Sequence, residues 1–117
     1  MDLTACVLSR KSITRFLPKK IPVPTLGELL DVARYAPSSG NIQNWKFILV
    51  DDKQKLKSLS EACYEQDWIS FAPIVIVVCG DVGHAQQLYG KQAEKYTLQN
   101  CANAAMLILL KATDFGL

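Results

Sequence analysis

The segment Tyr35-Ala36-Pro37-Ser38-Ser39-Gly40-Asn41-Ile42-Gln43-Asn44-Trp45 decides how the rest of the chain is read. It follows a stretch with helical apolar spacing and precedes a β-rich run, so it joins a helix end to a strand. Pro37 ends the helix, because proline has no N–H to donate and biases the residue before it away from helical conformations. Serine, glycine and asparagine form turns for local reasons, and an ordinary turn accounts for residues 38–41. The same small groups can also bring backbone N–H groups and the Ser38, Ser39 and Asn41 side chains close to a planar polar ligand. Gln43 and Trp45 are not turn chemistry, and a turn alone leaves them unexplained.

Upstream, Thr25 and Glu28 have the spacing of a capping box. They predict a helix opening at Thr25, with Leu26, Leu29, Leu30 and Ala33 on its inner face. Asp2 to Ser9 reads as a short helix capped by Asp2, with Leu3, Val7 and Leu8 on one side. Between them, Arg10 to Pro24 is a loop that ends in the extended Ile21-Pro22-Val23-Pro24. Downstream, Trp45 to Val50 is the first strand. Lys53 to about Tyr64 is helical, with Leu56, Leu59 and Cys63 as its core face and Lys53, Lys55 and Lys57 in solvent. Ile74 to Cys79 is an apolar run that suits a central strand covered on both faces. His84 falls at the surface, in a turn after Asp81. From about Gln92 to Phe115 a single long helix is expected, ending in a cap at Gly116-Leu117. Its Ala102–Leu110 half is apolar nearly all round and requires surrounding protein. Two strands cannot cover it, so a partner chain or further residues must complete the core.

With 117 residues, half of them hydrophobic, the chain makes one domain at most. A net charge of +2 argues against general nucleic-acid binding. The four cysteines form no CxxC pair and there is one histidine, so no zinc set is expected. Cys79 and Cys101 read as small buried hydrophobes, and Cys79 has no neighbouring cation to make it a nucleophile. Trp68 and Phe71 read as core or subunit-interface aromatics. Free thiols, the lack of an apolar leader and the shortness of the Ala104–Leu110 run predict a soluble cytoplasmic protein with no membrane span.

The basic residues concentrate in Arg10-Lys11-Ser12-Ile13-Thr14-Arg15-Phe16. Two cations followed by a hydroxyl can hold a phosphate through charge-assisted hydrogen bonds. A solvated basic loop, or a weak nucleic-acid arm, has the same composition.

The combination is more specific than its parts. Arg10-Lys11-Ser12 with Arg15-Phe16, then Glu28, then Arg34-Tyr35-Ala36-Pro37-Ser38-Ser39-Gly40-Asn41 with Gln43 and Trp45, resembles the nitroreductase family. Gln66 before Ala72-Pro73, the 74–81 strand and the long helix follow in that family's order. The resemblance implies an α+β nitroreductase-like fold, with helices around a central β-sheet. It implies FMN as cofactor and NADH or NADPH as electron donor. Arg10, Lys11 and Ser12 then correspond to the segment on the FMN phosphate and ribityl chain. Pro37, Ser38, Ser39 and Asn41 correspond to the loop that approaches the flavin from the other subunit of an intertwined homodimer, and Gln66 to a side chain against the flavin. Such enzymes pass a hydride from NAD(P)H through FMN to a nitroaromatic, quinone or related small acceptor. The flavin carries that chemistry, so no side-chain base or nucleophile is required.

There are departures. Thr14 stands where the family often has a cation. Asn44 replaces a common proline, which should loosen the turn. Leu107 takes a place where asparagine is frequent, at the expense of a buried hydrogen bond. Family members run to nearly twice this length and add further strands, so residues 1–117 are expected to form a single domain lacking the C-terminal strands. Two other readings follow: a shortened, non-catalytic FMN-binding module, and an unproductive reading frame.

Overall fold

A computed structural model describes residues 1–117. Seven elements follow in order: α1 (Leu3–Ser9), α2 (Val23–Ala33), β1 (Trp45–Val50), α3 (Lys53–Ala62), β2 (Val75–Gly80), α4 (Val82–Tyr89) and α5 (Ala93–Asp114). Single 3-10 turns lie at Ser39–Asn41, Asp67–Phe71 and Gly90–Gln92.

Side-chain caps fix three of the helix starts. Asp2 accepts from the Ala5 N–H at 2.9 Å, Asp52 from Lys55 at 3.0 Å and Asp81 from His84 at 3.0 Å. Each satisfies a backbone donor that has no partner within its helix. The start of α2 differs from the sequence expectation. It opens at Val23, with Pro22 at the cap position and no side-chain cap. Thr25 therefore lies inside the helix and the capping box is not formed. Proline at the start explains the shift, since its fixed φ fits the first turn and its missing N–H would have been unpaired there.

β1 and β2 pair antiparallel, from Trp45 opposite Gly80 to Val50 opposite Val75. The alternation of side chains along a strand puts Trp45, Phe47, Ile76 and Val78 on one face. That face packs on a core of Leu26, Leu29, Ala33 and Ala36 from α2 and its end, with Ala104 and Ile108 from α5. The expected central strand is corrected: this sheet has two strands, and β2 is half-buried along Val75–Cys79. Cys79 and Cys101 are likewise half-buried, and Cys6 is the buried cysteine. Phe71 is 73% exposed and belongs to no core of this chain, whereas Trp68 lies tilted against Phe16, with ring centroids 6.1 Å apart.

The turn expected at His84 is the first turn of α4, an element the sequence reading omitted. Only Ala85 of α4 is buried, so the helix has almost no apolar stripe to announce it. α5 is 22 residues long, about 33 Å at about 1.5 Å per residue. It buries one stripe, Ala93, Thr97, Asn100, Ala104 and Ile108. It is not surrounded: Leu98, Met106 and Leu109 are exposed. Its end is a Schellman motif, with Gly116 at φ +72, the Leu117 N–H on Ala112 and the Gly116 N–H on Thr113.

Candidate functional site

The loop between α2 and β1 has an unusual backbone. Ser38 is extended, and the turn that follows is closed by the Asn41 N–H on Ser38 and the Ile42 N–H on Ser39. Gly40, Asn41 and Gln43 all have positive φ, at 54°, 55° and 49°. Glycine accepts this freely and asparagine tolerates it, but glutamine does so at a cost of roughly 1–2 kcal/mol. Something must hold the loop. Gly40 has a second constraint, because the Tyr89 hydroxyl occupies the space a side chain would need. Tyr89 is itself set edge-on against Tyr96, with ring centroids 5.0 Å apart.

The loop is held from beneath by a buried chain of amides. Asn44 Nδ2 donates to the Asp81 carbonyl at 2.8 Å and to Thr97 Oγ1 at 3.0 Å. Its Oδ1 accepts from Asn100 Nδ2 at 3.0 Å. Asn100 Nδ2 also donates to Ser39 Oγ at 3.1 Å, and its Oδ1 accepts the Ser39 N–H at 2.9 Å. Nearby, Asn103 Nδ2 donates to the Pro37 carbonyl at 3.1 Å, and the Asp81 N–H to the Asn44 carbonyl at 2.7 Å. Asn44, Thr97 and Asn100 are each at least 96% buried, and no buried side-chain polar atom is left without a partner. The expectation that Asn44 loosens the turn is therefore overturned. Its carboxamide ties the loop to α5 and to the start of α4. Leu107 leaves no buried polar group unpaired and packs at the edge of the core.

What the loop leaves free is consistent in kind. Ser38 Oγ accepts the Gln43 N–H at 3.1 Å, and Ser39 Oγ accepts from Asn100, so each hydroxyl keeps its proton for another partner. The carboxamides of Asn41 and Gln43 make no hydrogen bond within the chain, and both residues are exposed. The outer rim is thus rich in uncommitted donors.

The basic segment lies apart from this loop. Arg10 is half-buried at the end of α1, while Lys11 and Ser12 are exposed. Neither Arg10, Lys11, Arg15, Lys19 nor Lys20 is in an ion pair, so their charge is not neutralised within the chain. α1 is fastened at the far end of α5, where the Met1 amine meets Asp114 Oδ1 at 2.7 Å and Lys111 meets Oδ2 at 3.0 Å. The anchors at Asn100 and Asp114 are about 21 Å apart along the helix at about 1.5 Å per residue. No hydrogen bond or ion pair connects the two segments. Gln66 sits in a third place, in the tight turn made by left-handed Tyr64 and Glu65, with its Nε2 on the Cys63 carbonyl at 2.8 Å.

Two open grooves lie elsewhere. One of about 410 Å³ runs between Val23, Leu26 and Leu30 of α2 and Leu49 and Ile74 of the sheet. Another of about 340 Å³ continues past Asp31, Arg34 and Phe47. Neither is lined by a residue that the sequence assigned to FMN. No group of three or more His, Cys, Asp or Glu side chains is gathered for a metal ion, and no helix is long and apolar enough to cross a membrane. The Cys101 thiol is pushed up from its ordinary pKa by burial and then by Cys79.

Sequence reasoning missed Thr97, Asn100 and Asn103. The signal was present, because Thr97 and Asn100 interrupt an otherwise apolar stripe at 93, 104 and 108. A polar residue on a core-facing stripe needs a partner.

A family model described as the nitroreductase family matches residues 7–70, more than half the chain. An NADH dehydrogenase of Thermus thermophilus is 34% identical over 85 residues, which cover 73% of this chain and 42% of that protein. The FMN reductase [NAD(P)H] of Bacillus subtilis is 32% identical over 85 residues, 73% of this chain and 34% of that one. The solved FMN-dependent nitroreductase of Clostridium difficile R20291 superposes with a TM-score of 0.82 at 27% identity, over 97% of this chain and 61% of that one. The chain thus spans about half the length of the curated relatives it matches. The matched span carries both the basic segment and the Pro37–Asn44 loop, and the fold agrees from α1 to α5: this chain belongs to the nitroreductase family.

Proposed function

We propose that the chain supplies two separate parts of an FMN site in an oxidoreductase that takes electrons from NADH or NADPH. The observation that carries this reading is the Ser38–Asn41 loop. It is held on a buried amide network and presents uncommitted donors outward. The acceptor-rich edge of a flavin ring is the partner such donors fit. The unpaired cations Arg10 and Lys11, with the Ser12 hydroxyl, fit a phosphate. Pro37 shapes the entry to the loop, and Gln66 is assigned to the flavin's surroundings through the family resemblance. Bound FMN would supply the hydride chemistry, and the residues named here bind and orient it. The acceptors fitting this reading are nitroaromatics, quinones or related small molecules, and the location is the cytoplasm.

The working unit on this reading is a homodimer, with residues 1–117 as one domain of each subunit. Leu98, Met106 and Leu109 of α5 and Leu3, Val7 and Leu8 of α1 are exposed apolar side chains that a second copy would cover. Sedimentation at micromolar concentration tests it, and a monomer refutes it.

A second reading has its own support. No hydrogen bond or ion pair joins the loop to the basic segment, so the chain acting alone would be a non-catalytic FMN-binding module. A visible spectrum of the purified chain separates the two. Flavin absorption that bleaches with NADH or NADPH supports the oxidoreductase, and flavin that does not bleach supports the module. A colourless protein that takes up no added FMN removes both.

A further inference from the structure

We propose that Asn44, acting through Asn100, is a positioning residue that sets the Ser38–Asn41 loop for its ligand; this rests on the flavin reading above. The hydrogen bonds run in one direction only. At one end the Asp81 carbonyl can only accept, so it fixes Asn44 Nδ2 toward itself at 2.8 Å. Asn44 Oδ1 must then face Asn100, which has to answer with Nδ2. That turns Asn100 Oδ1 toward the Ser39 N–H, which can only donate. Both ends of the chain agree, and turning either amide over would set donor against donor or acceptor against acceptor.

The consequence reaches the rim. Asn100 Nδ2 also donates to Ser39 Oγ, which leaves the hydroxyl proton as the group offered outward. The Ser39 N–H, held at 2.9 Å, fixes the first residue of the turn containing left-handed Gly40 and Asn41. This chain therefore sets the loop with a buried polar network. A network of this kind is specific only while every member is satisfied, and all of them are.

The test measures FMN affinity and folding stability together in the full chain and in Asn44→Ala, Asn100→Ala and Leu56→Ala. Leu56 is buried on α3, which shares no hydrogen bond with the network, so its variant controls for destabilisation alone. The expected result is an FMN Kd raised about tenfold in both asparagine variants, the scale of a lost buried hydrogen bond. The Leu56 variant, equally or more destabilised, keeps the wild-type Kd while folded. Hydrogen exchange at the Ser39 amide should quicken in the asparagine variants and not in the control. Should the alanine variants fail to fold, Thr97→Val removes one of the two acceptors of Asn44 without changing its shape, and should raise the Kd in the same direction. Wild-type affinity and wild-type Ser39 exchange in folded variants overturn the proposal while leaving the flavin reading intact. Failure of the wild-type chain to bind FMN overturns the flavin reading, and the proposal with it.

Discussion

Replacing Gly80 by alanine tests the contact on which the loop's support depends. Gly80 ends β2 where α5 crosses it, and a methyl group there would run into Thr97 Cγ2 and lie 2.9 Å from Cys101 Sγ. Thr97 cannot swing clear, because its Oγ1 is held by Asn44 at 3.0 Å and its methyl is fixed by the same rotamer. The helix must move, or Thr97 must release Asn44. Forcing one methyl into a packed contact costs about 1–3 kcal/mol. For a domain of this size each kcal/mol lowers the melting temperature by roughly 4 °C, so a drop of that order or more is expected. Thermal denaturation of Gly80→Ala, Thr97→Ser and the double variant checks the cause. Serine keeps the hydroxyl and removes the methyl, so the double variant should recover part of the loss, with a coupling above about 0.5 kcal/mol. Additive losses, or a Gly80→Ala variant as stable as the wild type, would refute the close-approach argument.

Arg10→Ala should weaken FMN retention by about 1–3 kcal/mol, the scale of a lost charged hydrogen bond; unchanged occupancy in equilibrium dialysis removes Arg10 from the phosphate. Leu29→Ala should cost about 2–5 kcal/mol in a denaturant titration, because Leu29 is 3% exposed in the α2–α5 core. The clasp at the chain start should show in the pH dependence of the melting temperature. The Asp114 carboxyl lies below its ordinary 3.8 through hydrogen bonds from the Met1 amine and then Lys111, so its stabilisation is present above that value and fades as pH falls through the lowered pKa. The Met1 amine lies above its ordinary 8.0 through its hydrogen bond to Asp114, so its stabilisation is complete below pH 8.0 and fades as pH rises through the raised pKa. Asp114→Asn should flatten both ends of the profile; an identical profile would show that the clasp contributes nothing.

Elements governed by short-range rules were legible, and those governed by distant partners were not. β1 falls on Trp45–Val50 as read, and the Asp2 cap and the glycine end of α5 are formed. These depend on alternation, capping oxygens and glycine's freedom at positive φ, all local. α2 began two residues early because proline helps a first turn as readily as it ends a strand. α4 was missed because Ala85 is its one buried residue, although Asp81 three residues before His84 was a readable cap. At the site, the serines and Asn41 could be picked out by type. The role of Asn44 could not, since its partners Thr97 and Asn100 lie 53 and 56 residues away.

The long helix keeps the Ser38–Asn41 loop and the basic segment apart within one chain. It carries the loop's anchor at Asn100 and fastens α1, which leads into the basic segment, at Asp114. A rigid helix keeps those anchors about 21 Å apart along its axis, and no loop movement changes that. In the homodimer proposed above, a second copy would change it. Leu98 and Leu109 are exposed on α5, one on either side of Asn103 along the helix, and a two-fold axis crossing α5 there would set each leucine against its counterpart's opposite number. Asp114 of one copy would then lie beside the level of Ala93 in the other, about 10 Å along the axis from Asn100. Such a pairing would bring onto one ligand the donors and cations that the single chain holds apart.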